Sequence, residues 1–107
     1  MAIASYDVGD RVRLGNHSSN TATTAILDAD GAPVDPAQVS LVVREPDGTS
    51  TTYTVGGPNA LAKESTGRYY ADVTLDAAGL WSYALVGAGT AVFREEAVLH
   101  ARKSVTA

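Results

Sequence analysis

The chain has 107 residues, no cysteine and a formal net charge of −4 at pH 7. This length predicts a single domain over residues 1–107, with a folded part at residues 6–102 and short tails, and the absence of cysteine excludes disulfides and thiolate zinc sites and favours folding in a reducing cytosol. The acidic balance argues against nucleic acid as a partner, because binding phosphates requires a basic face.

The first third of the chain predicts a tail and two strands. Residues 1–5 lack the basic start and the long apolar stretch of a signal peptide, and no run reaches the ~20 apolar residues of a membrane helix, so we expect neither export nor a membrane partner. Val12 and Leu14 alternate with arginines in residues 10–14, which predicts a strand. A polar turn over residues 15–20 precedes a second predicted strand at residues 21–27, whose phase is ambiguous.

The middle of the chain predicts a hairpin between two breaks. An Asp-Gly pair and two prolines in residues 28–36 interrupt any strand ladder. Residues 39–44 alternate and predict a strand, the turn signal Pro46-Asp47-Gly48 follows, and residues 51–55 predict its partner. Residues 61–64 are predicted to form a short edge strand.

The last third carries the clearest alternation. It predicts strands at residues 68–75, 81–85 and 91–101, separated by turns rich in glycine. Short strands divided by turn signals are typical of a sandwich. We therefore predict an all-β fold, an immunoglobulin-like antiparallel β-sandwich of seven to eight short strands.

Glu95 breaks the pattern of the last predicted strand. It is in phase with Phe93 and Ala97, so regular alternation would point its carboxylate into the core, where an unpaired charge costs several kcal/mol. We expect a β-bulge near residues 94–96 to turn it outward. The alternative is a buried glutamate paired with an arginine.

No group of residues predicts catalysis or a cofactor. His17 and His100 lie in a predicted turn and a predicted strand, without the local signature of a Ser-His-Asp triad, and we expect both on the surface. Residues 28–35 resemble the opening of a calcium loop, but a third ligand before the glycine and the closing bidentate glutamate are missing. Asp and Gly also suit a plain turn, so no metal is expected there.

The block from Gly67 to Tyr83 supplies the predicted core. Tyr69 and Trp81 occupy inward positions of their predicted strands, and Gly79 allows a left-handed turn before the predicted strand at residues 81–85. An aromatic binding cradle is the alternative interpretation. Tyr70 and, less clearly, Tyr6 are the aromatic residues expected to face outward.

Four segments together resemble a known group of proteins. They are residues 6–14 (YDVGDRVRL), residues 28–36 (DADGAPVDP), residues 43–48 (VREPDG) and the pattern Gly-x-Tyr…Leu-Asp-x-x-Gly-x-Trp-x-Tyr over residues 67–83. The chain is similar over residues 6–102 to small immunoglobulin-like proteins from the structural-gene clusters of tailed phages and prophages of actinobacteria. It departs from them at residues 15–20 (GNHSSN).

The resemblance implies a non-enzymatic virion structural protein made in the bacterial host cytoplasm and present in many copies. Its partners would be the major capsid protein or other virion proteins. A capsid decoration protein is the first expectation; a head–tail connector or tail component is the second. A carbohydrate- or host-surface-binding module is a third.

The two ends of the chain are the predicted partner-binding segments. The N-terminal residues are apolar, and the last predicted strand ends in a small basic tip on an otherwise acidic protein. We expect these segments to order against a partner, the alternative being frayed tails. The predicted contact residues are Met1, Ala2, Ile3, His100, Arg102 and Lys103.

Overall fold

A computed structural model describes residues 4–20, 23–89 and 92–103. Within these ranges no helix long and apolar enough to cross a membrane is present. The described residues form β1 (Ala4–Asp7), β2 (Arg11–Gly15), β3 (Gln38–Arg44), β4 (Ser50–Thr54), β5 (Ala62–Ser65), β6 (Arg68–Thr74), β7 (Gly79–Ala88) and β8 (Phe93–Arg102).

The strands form two sheets that face each other. The larger sheet has the order β1-β8-β7-β3-β4 and the smaller one the order β2-β6-β5. β1 runs parallel to β8, and every other described strand pair is antiparallel. The chain crosses between the sheets from β1 to β2, β2 to β3, β4 to β5 and β6 to β7. This confirms the predicted all-β sandwich, with eight strands in two sheets.

The core lies between the inner faces of the sheets, where alternate residues of each strand are buried. β6 and β7 show the alternation most clearly, as their sequences predict. Trp81 and Tyr69 are 2% and 4% exposed, so their predicted inward positions are confirmed. The largest fully buried aliphatic side chains are Ile26, Leu41, Leu75 and Leu85.

The strand predicted at residues 21–27 is wrong where the structure describes it. Residues 23–26 are irregular, and Leu27 makes only an isolated bridge to Pro33; residues 21 and 22 lie outside the described residues. Ile26 is nevertheless fully buried, and its N–H donates to the carbonyl of Gly67 at 2.9 Å. The segment therefore closes one side of the core without joining a sheet.

The tail predicted at residues 1–5 is wrong for residues 4 and 5, because Ala4–Asp7 forms β1. Its residues pair in parallel with β8, from Ala4 opposite Leu99 to Asp7 opposite Arg102. Tyr6 is half-buried and packs against the core, which corrects its expected outward position.

Glu95 keeps the regular register of β8, so the predicted bulge is wrong. It pairs with Leu85 of β7, and the pairs on both sides continue without a shift. Its side chain is half-buried and faces the same way as Phe93 and Ala97. The alternative, a glutamate paired with an arginine, is also wrong for the neighbouring Arg94. That arginine lies on the opposite face and contacts Glu96 at 2.7 Å.

Two glycines shape the turns that lead into the core strands. Gly79 has φ 129° and Gly67 has φ 76°, a region that other residues rarely adopt. A Cβ at Gly67 would also lie 2.8 Å from the carbonyl oxygen of Ile26. Glycine is therefore required where residues 23–27 approach β6.

Candidate interaction surfaces

The structure places the C-terminal half of the predicted contact residues beside the first strand. Met1, Ala2 and Ile3 lie outside the described residues. His100 is half-buried on the outer face of the five-stranded sheet, and its backbone pairs with Ser5 on one side and Leu80 on the other. The two ends of the folded part thus meet at the β1–β8 edge.

The predicted basic tip is partly neutralised. Arg102 contacts the carboxylate of Asp7 at 3.1 Å, and both side chains are more than half exposed. An exposed ion pair of this kind contributes about 1 kcal/mol or less. Lys103 is exposed directly after β8, and no described ion pair involves it. The tip therefore presents one positive charge rather than two.

The outer face of the five-stranded sheet carries a group of aliphatic side chains that we call the apolar face. Leu80 and Val98 are 56% and 45% exposed. A shallow depression of about 450 Å³ lies over the centre of the sheet, bordered by Arg44 and the Arg94–Glu96 ion pair. The apolar face consists of Val42, Leu80, Ala84, Val86 and Val98.

Contiguous exposed aliphatic surface mixed with charges is typical of protein-binding sites. The cross-strand register brings these side chains together: Val42 lies opposite Ala84, and Val98 lies opposite Ser82. His100 and Arg102 share this side of the sheet with Val98 because side chains alternate along β8. The sequence analysis did not identify the face, since outward valines also occur singly on ordinary strands.

Asn16 is a buried polar residue that the sequence analysis missed. Its side-chain Nδ2 donates to the carbonyls of Thr24 and Gly67 at 3.0 and 2.8 Å, and its Oδ1 accepts the N–H of Tyr69 at 2.8 Å. The side chain is fully buried. It fastens the segment after β2 to the start of β6, which is a structural role.

His17 is buried rather than on the surface, which corrects its prediction. Its side chain is 8% exposed, and Nε2 lies 3.1 Å from the carbonyl oxygen of Arg13. Since a carbonyl oxygen only accepts, Nε2 donates this hydrogen bond. Nδ1 has no hydrogen-bond partner among the described residues. The prediction failed because the polar stretch at residues 15–20 folds back against the sandwich.

The acidic segment at residues 28–35 uses its carboxylates for its own fold. Asp28 accepts the backbone N–H groups of Asp30 and Ala32 at 2.9 and 3.0 Å, which forms the turn. Asp35 accepts from the ammonium of Lys63, the N–H of Gly67 and the hydroxyl of Tyr69. The described residues contain no cluster of three or more metal-binding side chains.

The contacts of Asp35 shift the ionisation of two groups. The hydrogen bond from Lys63, followed by the bond from the Gly67 N–H, lowers the pKa of Asp35. Burial and the bond to Asp35 raise the pKa of Tyr69 to about 12. Asp35 is therefore a charged acceptor that joins the β2–β3 connection to β5 and β6.

The aromatic residues do not form an open platform where the structure describes them. Trp81 is in the core, with its Nε1–H donating to the carbonyl of Ala77 at 2.9 Å. Tyr70 faces outward from the smaller sheet, as predicted, but the guanidinium of Arg13 lies 3.9 Å from its ring centre. Arg13 is held there by Asp72 at 3.0 Å.

In comparisons with known proteins, no family model, no curated protein and no solved structure matches the chain.

Proposed function

We propose that the protein is a non-enzymatic virion structural protein of a tailed phage, and that it decorates the capsid by binding the major capsid protein in many copies. The resemblance of residues 6–102 to phage-encoded immunoglobulin-like proteins suggests the virion. The apolar face is the observation that supports binding to a protein surface.

Exposed aliphatic area is the main source of affinity that this face can supply. Burying Leu80 and Val98 against a partner removes apolar surface from water, at roughly 25 cal/mol per Å². Arg44, Arg94 and Glu96 at its border give the contact orientation, since rim charges select among partners. Repetition on a lattice then increases retention, because neighbouring copies share the same underlying shell.

The described polar residues support a binding role better than a chemical one. Asn16, Asp28 and Asp35 have their hydrogen-bonding capacity engaged within the fold. The ring of Tyr70 is covered by Arg13, which leaves it poorly suited to stack on a sugar. Contacts to a protein are the favoured use of this surface.

The proposal is tested by particle binding. Purified particles lacking the protein are mixed with wild type or with Val98→Asp, and the bound copies are counted by quantitative mass spectrometry. A charge placed in the centre of a dry contact should reduce affinity by roughly 100-fold, about 2.7 kcal/mol. Thr74→Asp, on the exposed side of the smaller sheet, is the matched control and should bind as wild type does.

Three results would each contradict part of the proposal. Equal binding of Val98→Asp and wild type, with unchanged melting temperatures, would exclude the apolar face. A copy number of about a dozen per particle, rather than hundreds, would place the protein in a connector or tail ring. Absence from purified particles altogether would remove the virion assignment.

The predicted terminal contacts are tested in the same assay. A chain lacking residues 1–3 and 104–107 keeps all described strands and should remain folded. We expect it to bind particles more weakly than the full chain. Unchanged binding would exclude Met1, Ala2 and Ile3 from the contact.

A further inference from the structure

A cleft opens between the two sheets where β8 passes β2. It has a volume of about 400 Å³, and the side chains at its wall come from β1, β2, the segment after β2, β7 and β8. Tyr6 and Tyr83 contribute aromatic surface, Asn20 and Thr23 contribute polar groups, and Glu95 contributes a carboxylate. The side chain of Glu95 faces the inner side of β8, whereas the apolar face lies on the outer side, and Val98 borders both.

Glu95 is the charge in this cleft that has no counter-ion. Among the described residues no hydrogen bond or ion pair involves its carboxylate. The two neighbouring charges of opposite sign are already engaged, Arg94 with Glu96 and Arg13 with Asp72. Burial raises the pKa of Glu95, and no charged group lowers it.

The electrostatic effect of Glu95 reaches the tyrosine beside it. Burial is the main cause that raises the pKa of Tyr83, and the charge of Glu95 is the next. The Nδ2 of Asn20 already lies 3.5 Å from the Tyr83 hydroxyl. The cleft therefore carries a negative charge and aromatic surface, a combination that suits a cation.

Within residues 4–20, 23–89 and 92–103, part of the β8 edge beside this cleft has no strand partner. β1 pairs with Leu99 to Arg102 only, so residues 93–98 have a strand partner on the β7 side and none on the other side among the described residues. The N–H and C=O groups along that edge can accept an added strand. We call residues 93–98 the open edge.

We propose that the open edge accepts an extended segment of a partner protein, and that a lysine or arginine side chain of this segment enters the cleft and pairs with Glu95. The open edge and the cleft can be occupied by the same segment. Side chains of an added strand alternate in direction, so a basic residue opposite Glu95 points into the cleft while its neighbours point away.

The carboxylate also selects which segments can bind. An inward charge at a sheet edge opposes pairing with ordinary apolar strands, which limits aggregation. An apolar or acidic residue opposite Glu95 would leave the carboxylate unpaired or repelled, whereas a basic residue neutralises it. Glu95 thus discriminates against wrong partners as well as attracting the right one. The inference does not depend on the virion assignment.

The test is an NMR titration of the ¹⁵N-labelled full chain with a short capped peptide, Thr-Val-Lys-Val-Thr. The reference peptide has norleucine in place of lysine. We expect saturable shifts of the amides in residues 93–98 with the lysine peptide, and affinity for the norleucine peptide about tenfold lower, or ~1.4 kcal/mol. Butylammonium is titrated separately, as a cation that resembles the lysine side chain but cannot add a strand.

Matched variants separate the site from general charge effects. Glu95→Gln should bind both peptides within about twofold of each other, a difference of ~0.4 kcal/mol. Asp30→Asn, which removes an exposed carboxylate outside the cleft, should retain the tenfold preference. Well-dispersed spectra of both variants establish that they fold.

Four outcomes would overturn the proposal. The first is the absence of saturable shifts with the lysine peptide, and the second is an unchanged lysine preference in Glu95→Gln. The third is binding of butylammonium as tight as that of the peptide, which would make the site a small-cation pocket. The fourth is peptide binding seen only after residues 1–3 are removed, which would assign the open edge to the chain's own N-terminal segment.

Discussion

Replacement of Asn16 by aspartate should destabilise the domain in a pH-dependent way. The change is nearly isosteric, but it substitutes an oxygen for Nδ2, which donates to the buried carbonyl of Gly67 at 2.8 Å and the partly buried carbonyl of Thr24 at 3.0 Å. The retained oxygen can still accept the N–H of Tyr69. The variant therefore isolates the two donated bonds without creating a cavity.

The expected loss follows from the burial of the site. Asn16 is 0% exposed, so water cannot replace the lost donors. The Gly67 carbonyl keeps the N–H of Ile26 as a second donor at 2.9 Å. The Thr24 carbonyl is then the acceptor left unpaired, which costs about 1–3 kcal/mol, and a carboxylate that faces both carbonyls adds to this loss at pH 7. The loss is a substantial share of the ~5–15 kcal/mol by which such a domain is stable.

Acidification should reduce this loss. The ionised carboxylate would face two carbonyl oxygens, so its pKa in the folded state lies above the ordinary value of ~3.9. The folded variant then binds more protons than the unfolded one, and its stability relative to wild type rises as the pH falls through the raised folded pKa, with the gain complete once the pH is below the ordinary value. A protonated side chain can again donate one bond.

Urea unfolding followed by tryptophan fluorescence measures the effect, because Trp81 is the only tryptophan and is buried. Curves are compared with wild type at pH 7 and pH 4. Asn59→Asp, at an exposed loop position, is the control and should change stability by less than about 0.5 kcal/mol. A loss below about 1 kcal/mol at pH 7, or one that is equal at both pH values, would contradict the assigned role of Asn16.

Other expected outcomes concern the core, the acid limit and metals. Trp81→Ala should lose about 3–5 kcal/mol of unfolding free energy in urea, followed by circular dichroism, and a smaller loss would mean that the indole does not fill the core. Asp35→Asn should be less stable than wild type at neutral pH. Because the folded pKa of Asp35 is lowered, its contribution is present above the ordinary aspartate pKa and disappears as the pH falls through the folded value, so the two melting curves should converge in acid. Melting in EDTA and in millimolar calcium should give the same midpoint, and a rise with calcium would indicate a site at residues 28–35.

The regular strands were predictable because one face of each is buried. In β6 and β7 the inward residues alternate with outward ones over the whole strand, and a shift by one residue would expose the core. The same signal cannot find a strand as short as β1. Its four residues become a strand through pairing with β8, which lies about ninety residues later in the chain.

Buried polar residues were the main gap in the sequence analysis. Asn16 and His17 sit in a polar stretch that has the composition of an exposed turn. The burial of Asn16 depends on contacts with residues 67–69, some fifty residues away, and nothing local distinguishes an asparagine that caps a turn from one that fastens two segments. Ile26 shows the converse case, a core residue without a strand.

Two departures from an ordinary sandwich pattern lie on β8, and both fit its proposed role as an interaction strand. Val98 exposes an aliphatic side chain on the outer face, and Glu95 half-buries an unpaired carboxylate on the inner one. Folding alone favours a polar residue at position 98 and an apolar residue at position 95, because exposed aliphatic surface contributes nothing to stability and a desolvated charge lowers it. Local choices that oppose the fold concentrate where a protein binds something else. A partner that covers the apolar face and a basic segment that reaches Glu95 would each remove one of these costs, and they could do so together because the two sites lie on opposite faces of the same strand.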